Sequence, residues 1–505
     1  MSSSIEPRVL IIDLGDVVFH HNASKLTAFP PKVLGQIIRS PTWNEHEKGG
    51  VDENEALEAL STELGIDATT LCRGLDECRT TLHVDTELLI QLKKLKEMMG
   101  SKLKVYAMSN VSVEDYQLMA ITLDDWSIFD KVFTSHEAKS RKPELEFYEK
   151  VRNGIGSTSS DITFVDDNID NVIAARALGL RGILYEPKVG REALIQKLYN
   201  LFFDPLERAQ EYMRKNAGKH FTNIEDGPTF SDAFSQFLIH DIMQDSSLLT
   251  FAADPSQRDA KKDAGTILEL ETTARRWNYF LGDPVGTTSK FPEDVDTTSY
   301  SLLAFTPSNL DSVHKVIDAI VNNTNGDGMV QTYWDPQRPR VDPVVLTNVL
   351  RVCHKYQYGG SNGQLEMSQR FVLRTLENRG YIDGTLHYYS PESFLFFVSH
   401  LFAARGHNGN FEEARDQLAL RLRERVGRKD DSLATAMRIL ACQKIGVWCE
   451  PDIEYLKTMQ QVDGGFENGW VCRYGRTRKR IGNRGVVTAY AIQALTNEAE
   501  ATGRD

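Results

Sequence analysis

Three short runs of apolar residues stand out early in the chain: RVLII at 8–12, LKVYAM at 103–108 and ITFV at 162–165. Each has the length of a buried strand, and the stretches between them repeat apolar residues at helical spacing, which predicts a parallel α/β sheet. Within residues 20–95 the segment VDENEALEALSTELG repeats Val51, Ala56, Leu57, Leu60 and Leu64 at that spacing. This region reads as a helical cap inserted after the first strand. The last α/β unit is ALGLRGILYE, and beyond about residue 205 the pattern changes to long amphipathic helices separated by Gly, Asp and Pro turns. The expected domains are therefore 1–205 and 206–505, with the junction near Asp204-Pro205.

The second half repeats a loose unit, a Gly-Asp turn with aromatics followed by a helix: GDGMVQTYW (326–334), DGTLHYYSPESFLFF (383–397) and VDGGFENGW (462–470). The repeats are spaced unequally, by roughly 56 and then 80 residues, which suits the paired helices of an α/α barrel better than a strict solenoid.

Polar residues with chemical potential sit at or just beyond the ends of the predicted strands, where open α/β sheets place their chemistry. They are Asp13 in IIDLGDVVF, Ser109 in YAMSN, Lys142 in SRKPELEFY, and Asp166-Asp167 in FVDDNIDNV. This ordered set resembles the haloacid dehalogenase superfamily, in the branch with a small helical cap. The resemblance implies that Asp13 is a carboxylate nucleophile, that Ser109 holds the transferring phosphoryl group and that Lys142 neutralises charge. It implies Mg²⁺ at Asp13, Gly15, Asp166 and Asp167, with Asp167 as a ligand backed by Asp166. Such roles are physically coherent, because a carboxylate approaches a phosphate only when cations cancel their repulsion.

The chain departs from that family at Gly15, where phosphatases usually carry a second aspartate; Asp16 stands one place later. In an extended segment a shift of one residue turns the side chain to the opposite face, so Asp16 is not expected to replace it. A slow diphosphatase and a structural relic both remain open. Asp166 to Asp170 also matches the DDxxD pattern of class I terpene synthases, but it follows a strand rather than lying on a helix of an all-α bundle, which favours a phosphatase-type metal site.

In the second half, FPEDVDTTSYS (291–301) places Asp294, Asp296, Thr297 and Thr298 beside an amphipathic run. Asp and Thr are ordinary helix-capping residues. Together with QQVDGGFENGW (460–470) and the aromatic turns, however, the string resembles the acid motif of class II terpene cyclases. Its DxDTT form is similar to that of phosphatase-fused cyclases making drimane-type sesquiterpenes, and this likeness spans the whole chain. By resemblance Asp296 is the proton donor, with Asp294 and Thr297 orienting it. Two carboxylates are wanted because an alkene is a very poor base, so the acid must be held neutral by burial and a like charge.

Aromatic faces stabilise a carbocation without trapping it. The candidates are Trp277, Tyr279, Phe280, Trp334, Tyr388, Tyr389, Phe394, Phe397, Phe466 and Trp470, of which about a third are expected to line a cavity, Trp334, Tyr388, Phe466 and Trp470 foremost. A basic run, Arg473, Arg476, Arg478, Lys479, Arg480 and Arg484, stands out in an acidic chain. From it Arg473 and Arg476 are the candidates for gripping a diphosphate.

Composition narrows the rest. A net charge of −13 argues against a nucleic-acid partner. The six cysteines form no CxxC pair, and no stretch has the length of a signal peptide or membrane span, so a cytoplasmic protein with free thiols is expected. The resemblance implies a class II cyclase of farnesyl diphosphate giving drimenyl or albicanyl diphosphate, followed by dephosphorylation. The rival readings are a Mg²⁺-dependent phosphatase with a helical binding domain, and a class I synthase using Asp166 to Asp170. With about 300 residues in the second half, one barrel must suffice, completed by the phosphatase-like domain or by the second subunit of a homodimer.

Overall fold

The computed structural model describes residues 8–156, 161–250, 267–358, 363, 365–405 and 412–502. The chain forms two compact units, Met1–Tyr199 and Asn200–Asp505.

Unit 1 is built on five parallel strands in the order Lys131–Thr134, Leu103–Ser109, Arg8–Ile12, Ile162–Asp166, Arg181–Leu184. The central strand reads as a continuous apolar run because it is covered on both faces: Val9, Leu10, Ile11 and Ile12 are all buried. The parallel arrangement brings the ends of three adjacent strands together, and with them Asp13, Ser109 and Asp166. Between Arg8–Ile12 and Leu103–Ser109, the first two strands of this sheet along the chain, lie four cap helices, Pro31–Arg39, Pro41–Glu47, Glu53–Leu64 and Ala68–Arg79. They close over their own apolar cluster, which includes Phe29, Ile37, Trp43, Leu60 and Leu71. The third cap helix starts with a capping box between Asp52 and Glu55, so Val51 precedes the helix rather than joining its face. Gly74 is required here, since a Cβ at that position would lie 2.0 Å from the Phe29 ring.

Unit 2 is a helical barrel. Six helices form a closed ring in which each packs on the next: Ala233–Met243, Val295–Ala304, Pro343–Lys355, Pro391–Arg405, Ser432–Ile445 and Arg484–Thr502, which returns to the first. Polar side chains mark the starts of these helices. Asp232, Asp294, Asp342 and Asp431 each accept a backbone N–H as N-caps, and Asn483 accepts from Val486 N. A second layer of helices, among them Pro205–Lys215, Leu310–Val321, Glu366–Glu377 and Glu412–Arg423, packs outside. A four-stranded antiparallel sheet, in the order Trp470–Arg473, Arg480–Gly482, Thr222–Ile224, Thr229–Phe230, ties the end of the unit to its beginning. Among the described residues no helix is long and apolar enough to cross a membrane, and the six cysteines are free.

Candidate active sites

In unit 1 the Lys142 ammonium is buried between two carboxylates, 2.7 Å from Asp13 Oδ1 and 2.6 Å from Asp166 Oδ2. Asp166 Oδ1 accepts from Asn168 N (2.8 Å) and Asn171 Nδ2 (2.9 Å). Both Asp166 oxygens are therefore engaged, which leaves Asp13 and Asp167 better placed to hold a cation. Carboxylate oxygens of Asp13, Asp166 and Asp167 lie within 4.8 Å of one another. Burial pushes Asp13 well above the usual carboxylate range against the pull of Lys142, and burial together with Asp166 and Asp16 pushes Asp167 up to about 6. Three clustered carboxylates against one ammonium make a hard, electron-rich oxygen set that a divalent cation could occupy. Gly15 has no side chain to add to this group.

Two details of unit 1 lay outside the sequence reading. Asn110 clamps the backbone of Lys142 from both sides, accepting from Lys142 N at 2.8 Å and donating to Lys142 O at 2.9 Å. Asp16, moreover, does not continue an extended segment. It sits in a turn at φ 54° with an exposed side chain, so the alternation of strand faces does not decide its direction, and its charge reaches Asp167. The DDxxD string is split as well. Asp166 ends a strand, whereas Asp170 is exposed on the following helix Ile169–Ala177, so the two do not share a helical face as class I metal binding requires.

In unit 2, Asp294 caps the helix Val295–Ala304 by accepting from Thr297 N at 2.6 Å. The cap is also a cavity residue: Asp294 lines the cavity and its Oδ2 is buried without a hydrogen-bond partner. Asp296, in the first turn of this helix, accepts from Asn348 Nδ2 at Oδ1 (2.9 Å) and from the Tyr388 hydroxyl at Oδ2 (2.6 Å). Arg351 Nη1 donates to Asn348 Oδ1 at 3.0 Å. A guanidinium can only donate, so the Asn348 oxygen must face it and the amide NH₂ must face Asp296. Asp296 Oδ1 is thereby fixed as an acceptor, and a proton on this carboxyl belongs on Oδ2. Burial pushes Asp294 up to about 8; it pushes Asp296 to about 6, the Tyr388 and Asn348 donors holding it lower.

Both aspartates open onto a cavity of about 640 Å³ lined by unit 2 residues, within the ~300–1,000 Å³ usual for small-molecule sites. Its aromatic lining is Phe234, Tyr279, Phe291, Tyr333, Tyr388 and Tyr474, and Thr297 also faces it. Of the aromatics expected there, Trp334, Phe466 and Trp470 lie elsewhere. Trp334 donates to Ala319 O and stacks under Arg276. Phe466 is fully buried in the core, and Trp470 carries the Arg480 guanidinium on its face. These residues belong to the turns that hold the barrel together: in the last turn Gln460 bonds Pro205 O and Gly464 O.

Four arginines face the same cavity: Arg338, Arg340, Arg473 and Arg476. Arg473 is tethered through Nε and Nη2 to Thr385 O. Arg338 bonds Thr288 Oγ1 at 2.9 Å and lies 3.3 Å from Asp335 Oδ2. Arg340 Nη1 would stand only 3.2 Å from a Cβ at Gly475, so that glycine gives the guanidinium its space. In the rest of the basic run, Arg480 pairs with Glu225 and Arg484 with Asp463, both ties within the unit. Sequence reading missed Arg338 and Arg340, although the run PQRPR (336–340) was a visible signal.

Similarity to known proteins follows the same division. A family model described as the sesquiterpene cyclase astC-like C-terminal domain matches residues 206–356, and one described as haloacid dehalogenase-like hydrolase matches residues 76–185. The chain is 37% identical over 493 residues to the drimenol cyclase drtB of Aspergillus calidoustus, covering 97% of this chain and 88% of that protein. It is 32% identical over 176 residues to the sesquiterpene phosphatase astK of Aspergillus oryzae, 35% of this chain and 88% of that one. A flavin mononucleotide hydrolase of Arabidopsis thaliana matches at 27% over 183 residues, 35% of this chain and 72% of that protein. The chain belongs to the family of the drimenol cyclase, a haloacid dehalogenase-like domain fused to a sesquiterpene cyclase domain.

Proposed function

We propose that unit 2 is a class II cyclase that protonates the terminal alkene of farnesyl diphosphate from Asp296, closes two rings and gives a drimane-type diphosphate, drimenyl or albicanyl, which unit 1 then dephosphorylates. The observation that supports this most is the pairing, in one cavity, of a buried acid with a cluster of arginines. Asp296 has no cation directly on its carboxyl, so it can hold a proton, and its position near 6 makes it the stronger acid of the two aspartates. Arg338, Arg340, Arg473 and Arg476 offer the charge that a diphosphate needs. The aromatic faces lining the same cavity would accommodate the migrating cation.

For unit 1, Asp13 is the nucleophile on phosphorus, Lys142 cancels charge at the attack and Ser109 holds the phosphoryl group. Asp13, Asp167 and the main chain at Gly15 are the groups that would hold Mg²⁺, with Asp166 fixing Lys142 behind them. The cation, when bound, supplies positive charge to the phosphoryl oxygens. Removal of the terminal phosphate expels a phosphate monoester that needs little proton assistance, which suits glycine at position 15; release of the alcohol breaks a second P–O bond, and the departing alkoxide takes its proton from water.

The deciding experiment is incubation of the purified protein with farnesyl diphosphate and Mg²⁺, with products analysed before and after added phosphatase. Bicyclic alcohol without added phosphatase supports both units' roles, and bicyclic product only after phosphatase supports the cyclase alone. Linear farnesol alone would sink the cyclase reading.

A further inference from the structure

Cyclisation ends with the loss of a proton, and few groups on the cavity wall can take one. The ionisable lining residues are Asp294, Asp296, His387, Cys472, four tyrosines and four arginines. An arginine has no lone pair to offer. Burial pushes the tyrosine hydroxyls up and the Cys472 thiol to about 12, so they stay neutral and are weak bases. The two aspartates belong to the acid end. His387 remains among the described lining residues.

Its surroundings fit the task. The His387 carbonyl accepts from Arg473 N at 2.8 Å, its ring meets the Tyr333 ring edge-on at 5.7 Å, and its Nε2 is buried with no hydrogen-bond partner. Burial lowers its basicity, Arg340 and Arg473 lower it further, and Asp342 opposes them. The imidazole is therefore neutral at pH 7, with a lone pair on one nitrogen. Reaction chemistry sets the place independently. When farnesyl diphosphate closes two rings from its far end, the final cation lies on the carbon next to the one bearing the CH₂–O–diphosphate arm. The base must stand beside the diphosphate, and His387 stands beside two of the arginines proposed to hold it.

We propose that His387 is the base that ends the cyclisation, an inference that rests on the cyclase reading of unit 2. A C–H bond adjacent to the cationic carbon breaks, its electron pair becomes the π bond of the product, and the proton ends on the unprotonated ring nitrogen. One proton enters from Asp296 and one leaves to His387, so no oxidant or reductant is needed. The bound diphosphate offsets the arginine charges that depress the imidazole, so the ring gains basicity when substrate is in place.

The test uses the full chain with His387→Ala and His387→Gln, given farnesyl diphosphate and analysed after added phosphatase. The expected result is substrate consumption within about tenfold of the unsubstituted protein, with its alkene product reduced at least tenfold in favour of a water-quenched hydroxylated bicycle or an alkene isomer. Added imidazole should restore the original product in His387→Ala. The original alkene alone from both variants overturns the proposal and points to the diphosphate or a water as the base. Loss of all consumption in both also overturns it, because a base acting after ring closure is not needed to consume substrate. If the unsubstituted protein leaves farnesyl diphosphate uncyclised, the cyclase reading itself has failed.

Discussion

In unit 1 a lysine ammonium touches two of three clustered carboxylates, whereas in unit 2 the two aspartates meet an amide, a phenol and a backbone N–H, with the Arg351 guanidinium one residue removed behind Asn348. Both sites bury aspartates at the end of a secondary-structure element, so burial alone does not set their chemistry. The partners do. Lys142 pulls Asp13 toward the ionised form against a burial that still holds it above the usual carboxylate range, whereas Asp296, raised by burial to about 6, is drawn back chiefly by the neutral donors Tyr388 and Asn348.

The sharpest way to break this contrast is to remove the proton and leave the shape. Asp296→Asn should lower cyclisation by about 10³-fold or more, near the upper range for a general acid, while dephosphorylation of a supplied prenyl diphosphate continues; both are read by product analysis. Asp13→Asn is the mirror experiment. It should lower release of inorganic phosphate by about 10²-fold or more, with the bicyclic diphosphate accumulating in place of the alcohol. If either substitution abolished both activities, the two sites would not be separable.

How much of this was legible in the sequence follows from the range of each signal. The sheet was readable because RVLII, LKVYAM and ITFV are continuous apolar runs, and Asp13, Ser109 and Asp166 needed only the rule that strand ends gather. Asp294 and Asp296 stood out only through the resemblance of DVDTT to the acid motif of class II cyclases, since their spacing alone reads as helix capping. Asn348 and Tyr388 were not readable as partners of Asp296, standing 52 and 92 residues away along the chain. Tyr388 was expected as a cavity wall, but nothing local marks it as a donor to a carboxyl. The aromatic turns misled for the same reason. Trp334 and Trp470 sit in repeats that look like a cavity lining, yet both lie off the cavity, and the wall is completed by Tyr333, next to Trp334 in the same repeat, and by Phe234, Phe291 and Tyr474 from other segments. Asp16 misled because a left-handed turn cannot be read from a single apolar context.

The arginines proposed to hold the diphosphate give a smaller and more graded test. Arg340→Ala and Arg476→Ala should each raise KM for farnesyl diphosphate by about 10-fold, as expected for losing one charge-assisted contact of about 1.5 kcal/mol, with kcat changed far less. Arg480→Ala, at a guanidinium paired with Glu225, should leave KM unchanged and serve as the control. A KM effect at Arg480 equal to that at Arg340 would mean that overall charge, not placement, is being measured.

The smallest expected effect bears most directly on the contrast between the two sites. Asp296 must be protonated to act, and its folded value, raised by burial, is about 6. The protonated fraction therefore falls as pH rises through 6, and cyclisation should decline on the alkaline side while increasing toward pH 6. Tyr388→Phe removes the hydroxyl donor that favours the ionised form at Oδ2, so Asp296 should hold its proton to higher pH. One hydrogen bond of about 1 kcal/mol corresponds to a shift of somewhat under one pH unit. The alkaline limb should move up by about that amount, while the rate at low pH drops several-fold because the acid is weaker. A limb that stays in place with only a lower rate would reduce Tyr388 to a wall of the cavity and leave Asn348, held by Arg351, as the group that sets the acid.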